Sequence, residues 1–207
     1  LMDRDINAAP PGGGPAGRPL AATQNRRIAM LMWDGMASGN YHGLQVSLNR
    51  PFSRGLLLKG GYTWSKAINW TDDDGWTGAP SWNWEPVMHR NRAPAGYNRT
   101  HMFTLGYVWE IPFGPGKSWA TAGPTSWLLR GWQTNGTFAA YTGTRFTVSA
   151  SGAELNAPGN AQTADLVASG KVRTLGEIGA GKSWFDPLAF RQPRGVRFGT
   201  TGRNSMI

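Results

Sequence analysis

Tyr41–Arg50 (YHGLQVSLNR), the short link Pro51–Gly55 (PFSRG) and Leu56–Ala67 (LLLKGGYTWSKA) read together as one long β-hairpin. In the first run Leu44, Val46 and Leu48 alternate with Gln45, Ser47 and Asn49. In the second, Leu56, Leu58, Gly60, Tyr62 and Trp64 alternate with Leu57, Lys59, Gly61, Thr63 and Ser65. Leu57 apart, a period of two gives each strand one apolar and one polar face. Each run has about ten residues, longer than the usual soluble strand and close to what a tilted strand needs to cross a bilayer. Aromatics gather toward the strand ends, where membrane barrels carry their interfacial girdles. The pattern predicts an all-β fold: antiparallel strands of a transmembrane outer-membrane β-barrel, a partial barrel with long extracellular loops.

Composition agrees. The chain has 207 residues, with 29 Gly, 14 Pro and 16% charged residues, which favours turns and strands over surface helices. No run of apolar residues is long enough for a transmembrane helix. The negative mean hydropathy is compatible with a barrel, whose lipid band is hidden in alternation. Cysteine is absent, which fits the bacterial envelope and many cytosolic proteins equally. The net charge of +9 is scattered through loops rather than gathered on one stripe, so nucleic-acid binding is not expected. The bacterial outer membrane, with lipid and lipopolysaccharide as surroundings, is the expected location.

Outward from the hairpin, residues 1–25 are rich in Pro, Gly and Ala and read as an extended loop. Residues 26–67 hold a poorly alternating strand over Arg27–Met36 and then the hairpin. Residues 68–98 contain three Pro, seven Asp or Asn and four Trp, with no sustained period, and are expected to form a long extracellular loop. Residues 99–150 return to strands. Phe103, Leu105, Tyr107 and Trp109 alternate with Met102, Thr104, Gly106 and Val108 until Pro112-Phe113-Gly114-Pro115-Gly116 ends the run. In Gly131–Tyr141, Trp132, Thr134, Gly136, Phe138 and Ala140 face one way, and Phe146–Ala150 extends or follows this strand. Residues 151–207 read as a long loop with a short turn of helix near 161–168. The connections alternate short and long, as periplasmic turns and extracellular loops do. Four or five strands are fewer than the roughly eight of the smallest bacterial barrels, so further strands are expected elsewhere. The start at Leu1, without a leader-like segment, and the loop-like Gly199–Ile207 suggest a piece of a longer polypeptide.

Several short motifs then resemble one family. They are Asn40-Tyr41-His42-Gly43-Leu44-Gln45-Val46, Phe52-Ser53-Arg54-Gly55-Leu56, Tyr62-Thr63-Trp64-Ser65-Lys66-Ala67, Ile111-Pro112-Phe113-Gly114 and Gly131-Trp132-Gln133. Trp184-Phe185-Asp186-Pro187 with Phe190, and Phe198-Gly199 followed by Gly202-Arg203-Asn204, complete the series. In this order they resemble the barrel of Oar-like TonB-dependent receptors. The resemblance implies a barrel joined to a plug, coupled through that plug to TonB, in energised uptake of a bulky solute. The plug, TonB and the remaining barrel strands are therefore the implied partners. One departure stands at Asn98-Arg99-Thr100-His101-Met102-Phe103, where the family's acidic residue is missing.

The candidate ligand-binding residues are Trp70, Asp72, Asp73, Asp74, Trp76, Trp82 and Trp84. Aromatic faces beside Asp and Asn suit sugars or aromatic ligands, and the same rings could instead pack the loop on itself. Three adjacent Asp lack the alternation of an EF-hand, and His42, His89 and His101 lack zinc-like spacing. Gly176–Ser183 (GEIGAGKS) matches the P-loop pattern. Its upstream segment is polar, however, and Pro187 stands where a helix should run. No catalytic constellation, metal site or cofactor is expected. A passive porin-like or structural barrel segment is the first alternative, and a soluble Trp-rich carbohydrate-binding β domain the second.

Overall fold

A computed structural model describes residues 2–72, 79–169 and 171–207. The chain folds as two compact units. One comprises Tyr41–Lys66 and Arg99–Gly143; the other comprises residues up to Asn40, Ala67–Asn98 and Thr144–Ile207.

The first unit carries the predicted strands. With β1 (Met2–Asp5) and β2 (Leu31–Asp34) belonging to the other unit, its strands are β3 (Asn40–Ser53), β4 (Leu56–Asn69), β6 (His101–Glu110) and β7 (Gln133–Tyr141). They lie in the order β3-β4-β6-β7, and a short β5 (Ala93–Pro94) pairs with the far end of β4. The ladder aligns Leu58 with Tyr107, Gly60 with Leu105 and Tyr62 with Phe103. The next ladder aligns Phe103 with Ala140, Leu105 with Phe138 and Tyr107 with Gly136. Residues paired in register share a face, so the apolar alternants of three strands coincide. The opposite face carries Lys59, Gly61 and Thr63 beside Gly106, Thr104 and Met102, and beyond them Thr137, Ala139 and Tyr141. Phe103 and Phe138 touch diagonally on the apolar face, with ring centroids 6.0 Å apart. Among the described residues β3 and β7 are paired on one side only, so the sheet is open rather than closed.

The hairpin turn is tighter than expected. Strand β3 runs through Pro51, and only Arg54 and Gly55 turn, with φ of 53° and 78°. Two successive positive φ values make the primed two-residue turn whose twist suits a hairpin. Among the described residues β3 is paired on one side only, the setting in which a strand accommodates a proline such as Pro51. After α1 (Pro19–Gln24) and α2 (Glu85–Met88) of the other unit, the 112–129 connection contains a short helix, α3 (Gly123–Leu129), which the Pro and Gly content concealed.

The second unit corrects several sequence expectations. Residues 1–25 form β1 and a helix, α1 (Pro19–Gln24), rather than an extended loop. The reason is Asp5, which is buried. Its Oδ1 accepts from the amides of Asn7 and Met30, and its Oδ2 accepts from Arg18 at 2.8 Å. These bonds draw the strand β2, shorter than the expected Arg27–Met36, back against β1 in antiparallel register. The expected helical turn near 161–168 is extended backbone instead, with β8 (Asp165–Leu166) pairing β9 (Phe190–Arg191). Asp165 is fixed there by Arg197, at 2.8 and 2.5 Å from its two oxygens. Phe146–Ala150 does not prolong β7; Phe146 bridges Met206 and Ser149 bridges Thr163. The P-loop pattern opens no helix. Leu175 N–H donates to the Trp184 carbonyl at 2.8 Å, so Gly176–Ser183 is the loop between two short paired edges.

Neighbouring residues of β6 test the assignment of faces. Leu105→Arg should destabilise folding into lipid vesicles by about 2–4 kcal/mol, the cost of a charge on the lipid side near the midplane. Thr104→Arg should cost far less, because it faces the other way. Denaturant titration of the folded protein in vesicles measures both, and equal costs would refute the assignment.

Candidate functional site

The loop 68–98 belongs to the second unit and is built on polar side chains more than on apolar bulk. The unit's buried apolar residues are mostly alanines, with Met2, Trp82, Met88 and Leu155 as the large ones. Long irregular backbone leaves many amides and carbonyls to satisfy, and asparagines supply both donors and acceptors. Asn91 shows how. Its Oδ1 accepts from Trp82 N–H at 3.0 Å, while its Nδ2 donates to the carbonyls of Trp82 and Met88. Asn160 Oδ1 accepts from the amides of Asn83 and Trp84, and its Nδ2 donates to the Ala9 carbonyl at 3.0 Å. Asn98 is buried, and its Oδ1 accepts from Ala67 N–H.

Arg203 joins the loop to the C-terminal segment. Its guanidinium is almost wholly buried and donates to the Asn91 carbonyl at 3.0 Å, to Asp72 Oδ2 at 2.9 Å and to both oxygens of Asn69. Asn204 beside it donates to Asp72 Oδ2 and to the Pro94 carbonyl. Asp72 Oδ1 accepts from Asn69 Nδ2 and Gly96 N–H. Burial acts to raise the Asp72 carboxyl. The bonds from Asn69, Asn204 and Gly96, with the charge of Arg203, outweigh it and hold the group below the usual aspartate range. Burial lowers the Arg203 guanidinium, against the pull of Asp72.

A second joint is aromatic. Arg90 lies over the Trp82 ring at 4.6 Å and over Phe198 at 5.9 Å, and Trp84 stacks on Phe198 at 6.3 Å. Arg90 Nη2 also donates to the carbonyls of Gly199 and Thr201, at 2.7 and 3.1 Å. Burial lowers this guanidinium as well. Gly199 is required at its position, because a Cβ there would collide with the Thr163 carbonyl oxygen.

The seven candidate residues therefore occupy different environments. Trp82 is fully buried and packs the loop from within. Asp72 has both carboxylate oxygens taken by donors of the protein itself. Trp70 and Trp84 are half-buried, and Trp84 has one face on Phe198. Asp73, Asp74 and Trp76 lie outside the described residues. Sequence reading missed Arg90, Asn91, Asn160 and, as loop anchors, Arg203 and Asn204. Arg203 and Asn204 stand in a quoted motif, but their partners are more than a hundred residues away in the chain.

Two substitutions separate packing from charge. Trp82→Ala should destabilise this unit by about 3–5 kcal/mol, as expected for a buried tryptophan, measured by denaturant unfolding. Asp72 carries a depressed pKa, so its contribution is fully present above the unfolded aspartate value and is lost as pH falls through the lower folded value. Hydrogen exchange at the Gly96 amide, which Asp72 accepts, should accelerate beyond its intrinsic pH dependence below that window. Asp72→Asn should remove the added acid sensitivity.

The sheet with one apolar and one polar face, and the long connections folded into their own unit, find their counterpart in one comparison. The family model described as "Outer membrane beta barrel domain" matches residues 1–207. No curated protein and no protein of solved structure matches the chain. Because the family match covers every residue, this chain belongs to the outer membrane beta barrel domain family, whose place is the bacterial outer membrane.

Proposed function

We propose that the chain is a barrel segment of a TonB-dependent transporter that takes up a bulky solute. The observation that carries this reading is how the long connections are built. Successive strands are antiparallel, so the chain enters β3 and β6 and leaves β4 and β7 at the same end of the sheet. The segments attached at that end, residues 1–39, 70–100 and 142–207, fall almost wholly within one compact unit with its own buried groups. The opposite end carries only the Arg54-Gly55 turn and the 111–132 connection. Long connections that fold as a unit of their own suit the capture of a bulky solute, for which a passive pore has less need. The motif resemblance to Oar-like receptors supports the same reading. On it, the plug and further strands complete the barrel, and TonB couples to the plug. Trp70, Trp76 and Trp84, with Asp73 and Asp74, remain the proposed ligand contacts, whereas Trp82 and Asp72 act by holding the loop. Membership of an outer-membrane family leaves no support for the soluble carbohydrate-binding alternative.

Uptake in cells lacking TonB tests the energy coupling. Solute accumulation should be lost in such cells, and unchanged accumulation would favour the passive barrel. Topology has its own test. Tyr97 is exposed, so a cysteine placed there should react with an impermeant reagent on intact cells. Labelling only after the outer membrane is opened would reverse the orientation. In the ligand assignment, Trp84→Ala should reduce uptake more than it reduces stability. Trp82→Ala should lower both together.

A further inference from the structure

The end of the sheet that carries the short connections has an unusual composition. Glu110 is the only acidic residue of this unit, and it is paired with Lys117 at 2.9 Å. Arg50, Arg54 and Arg130 stand in the same region, all exposed and without a carboxylate partner among the described residues. Beside these cations four large apolar side chains face solvent: Trp119 at 60%, Trp127 at 71%, Leu128 at 62% and Trp132 at 58% exposure.

These residues sit on an ordered elbow. Ile111 N–H donates to the Trp132 carbonyl at 2.9 Å, closing the base of the 111–132 connection. Within it, Trp119 N–H donates to the Pro112 carbonyl, Gly114 N–H returns to Trp119, and the Phe113 and Trp119 rings meet at 5.8 Å. Within α3 Ser126 is buried while Trp127 and Leu128 are exposed, and Trp132 Nε1 donates to the Leu128 carbonyl. The hairpin turn joins this region through Glu110 N–H, which donates to the Gly55 carbonyl at 2.7 Å. The elbow also continues directly from Trp109, the last aromatic on the apolar face of β6.

We propose that this elbow docks on anionic glycerophospholipid at the membrane surface bordering the short connections. Tryptophan prefers the headgroup level, where its ring is apolar and its N–H finds water or phosphate. An excess of arginine and lysine next to such rings adds attraction to anionic headgroups. Arginine, with its fork of donors, suits a phosphate oxygen particularly well. The occupant follows from this charge complementarity and from continuity with the lipid-facing side of the strands. The inference depends on outer-membrane residence and is independent of whether uptake requires TonB.

The test uses the intact protein with Thr125→Cys, an exposed α3 position, carrying an environment-sensitive fluorophore. It is reconstituted in phosphatidylcholine vesicles with increasing phosphatidylglycerol. Emission should shift to the blue as phosphatidylglycerol is added, and high salt should reverse the shift. In Arg54→Gln and Arg130→Gln the phosphatidylglycerol needed for half the shift should rise about fivefold each, the equivalent of about 1 kcal/mol per basic residue near an anionic surface. Trp127→Ala should weaken the shift at every lipid composition while circular dichroism keeps the strand signal. Water-like emission in all vesicles would overturn the proposal. So would a shielded probe indifferent to phosphatidylglycerol, salt and both arginine substitutions, since that pattern means a protein neighbour. A response to lipopolysaccharide and none to phosphatidylglycerol would also overturn it.

Discussion

Hydrocarbon offers no partner to a backbone amide, and this constraint organises the sheet. Any segment that crosses a bilayer must satisfy its N–H and C=O groups within protein, which for strands means long uninterrupted ladders. The ladders from Leu56 to Trp64 against His101 to Trp109, and from Met102 to Glu110 against Gln133 to Tyr141, meet that demand without a bulge in their register. Regular register has a second effect. It keeps Leu58, Tyr62, Phe103, Leu105, Tyr107 and Phe138 on one face, so the solvent preference of three strands is decided together. A slip of one residue would invert them all.

The second unit obeys the same rule by other means. It has few regular ladders, and its backbone groups are satisfied by side chains: Asp5, Asn7, Asn91, Asn160 and Arg203 each bind several segments. A charged hub of this kind discriminates sharply. With all partners present Arg203 is neutralised by Asp72 and capped by carbonyls; with one removed, a buried charge or acceptor is left exposed to a large penalty. The described residues of the loop 68–98 are thus held by contacts with residues near 200 as well as by Trp82. Trp82 and Arg90 form the aromatic part of the same joint.

Periodicity made the sheet legible. The alternation in Leu58–Trp64 and Phe103–Trp109 is a local signal, and the observed register puts the apolar alternants of those two strands on one face. The hairpin link was harder, because Pro51 resembles a terminator, yet β3 runs through it as a strand paired, among the described residues, on one side only. The second unit was largely illegible. Asp5 gathers Arg18 and the Met30 amide, and Asp72 gathers Arg203, through contacts with no sequence period. Of the candidate site, sequence marked the loop 68–98 by its tryptophans and acids. It could not tell Trp82, buried to the core, from Trp84 at the edge, because composition carries no information about which ring turns inward.

The central claim is that the face bearing Leu105 and Tyr107 meets lipid. Single spin labels placed in turn at Thr104, Leu105, Gly106, Tyr107 and Val108 of the reconstituted protein test it most directly. The account predicts high oxygen accessibility at Leu105 and Tyr107 alternating with low values at Thr104, Gly106 and Val108, and the reverse pattern for a water-soluble relaxation agent. Alternation in the opposite phase, or uniform water accessibility along the strand, would contradict it.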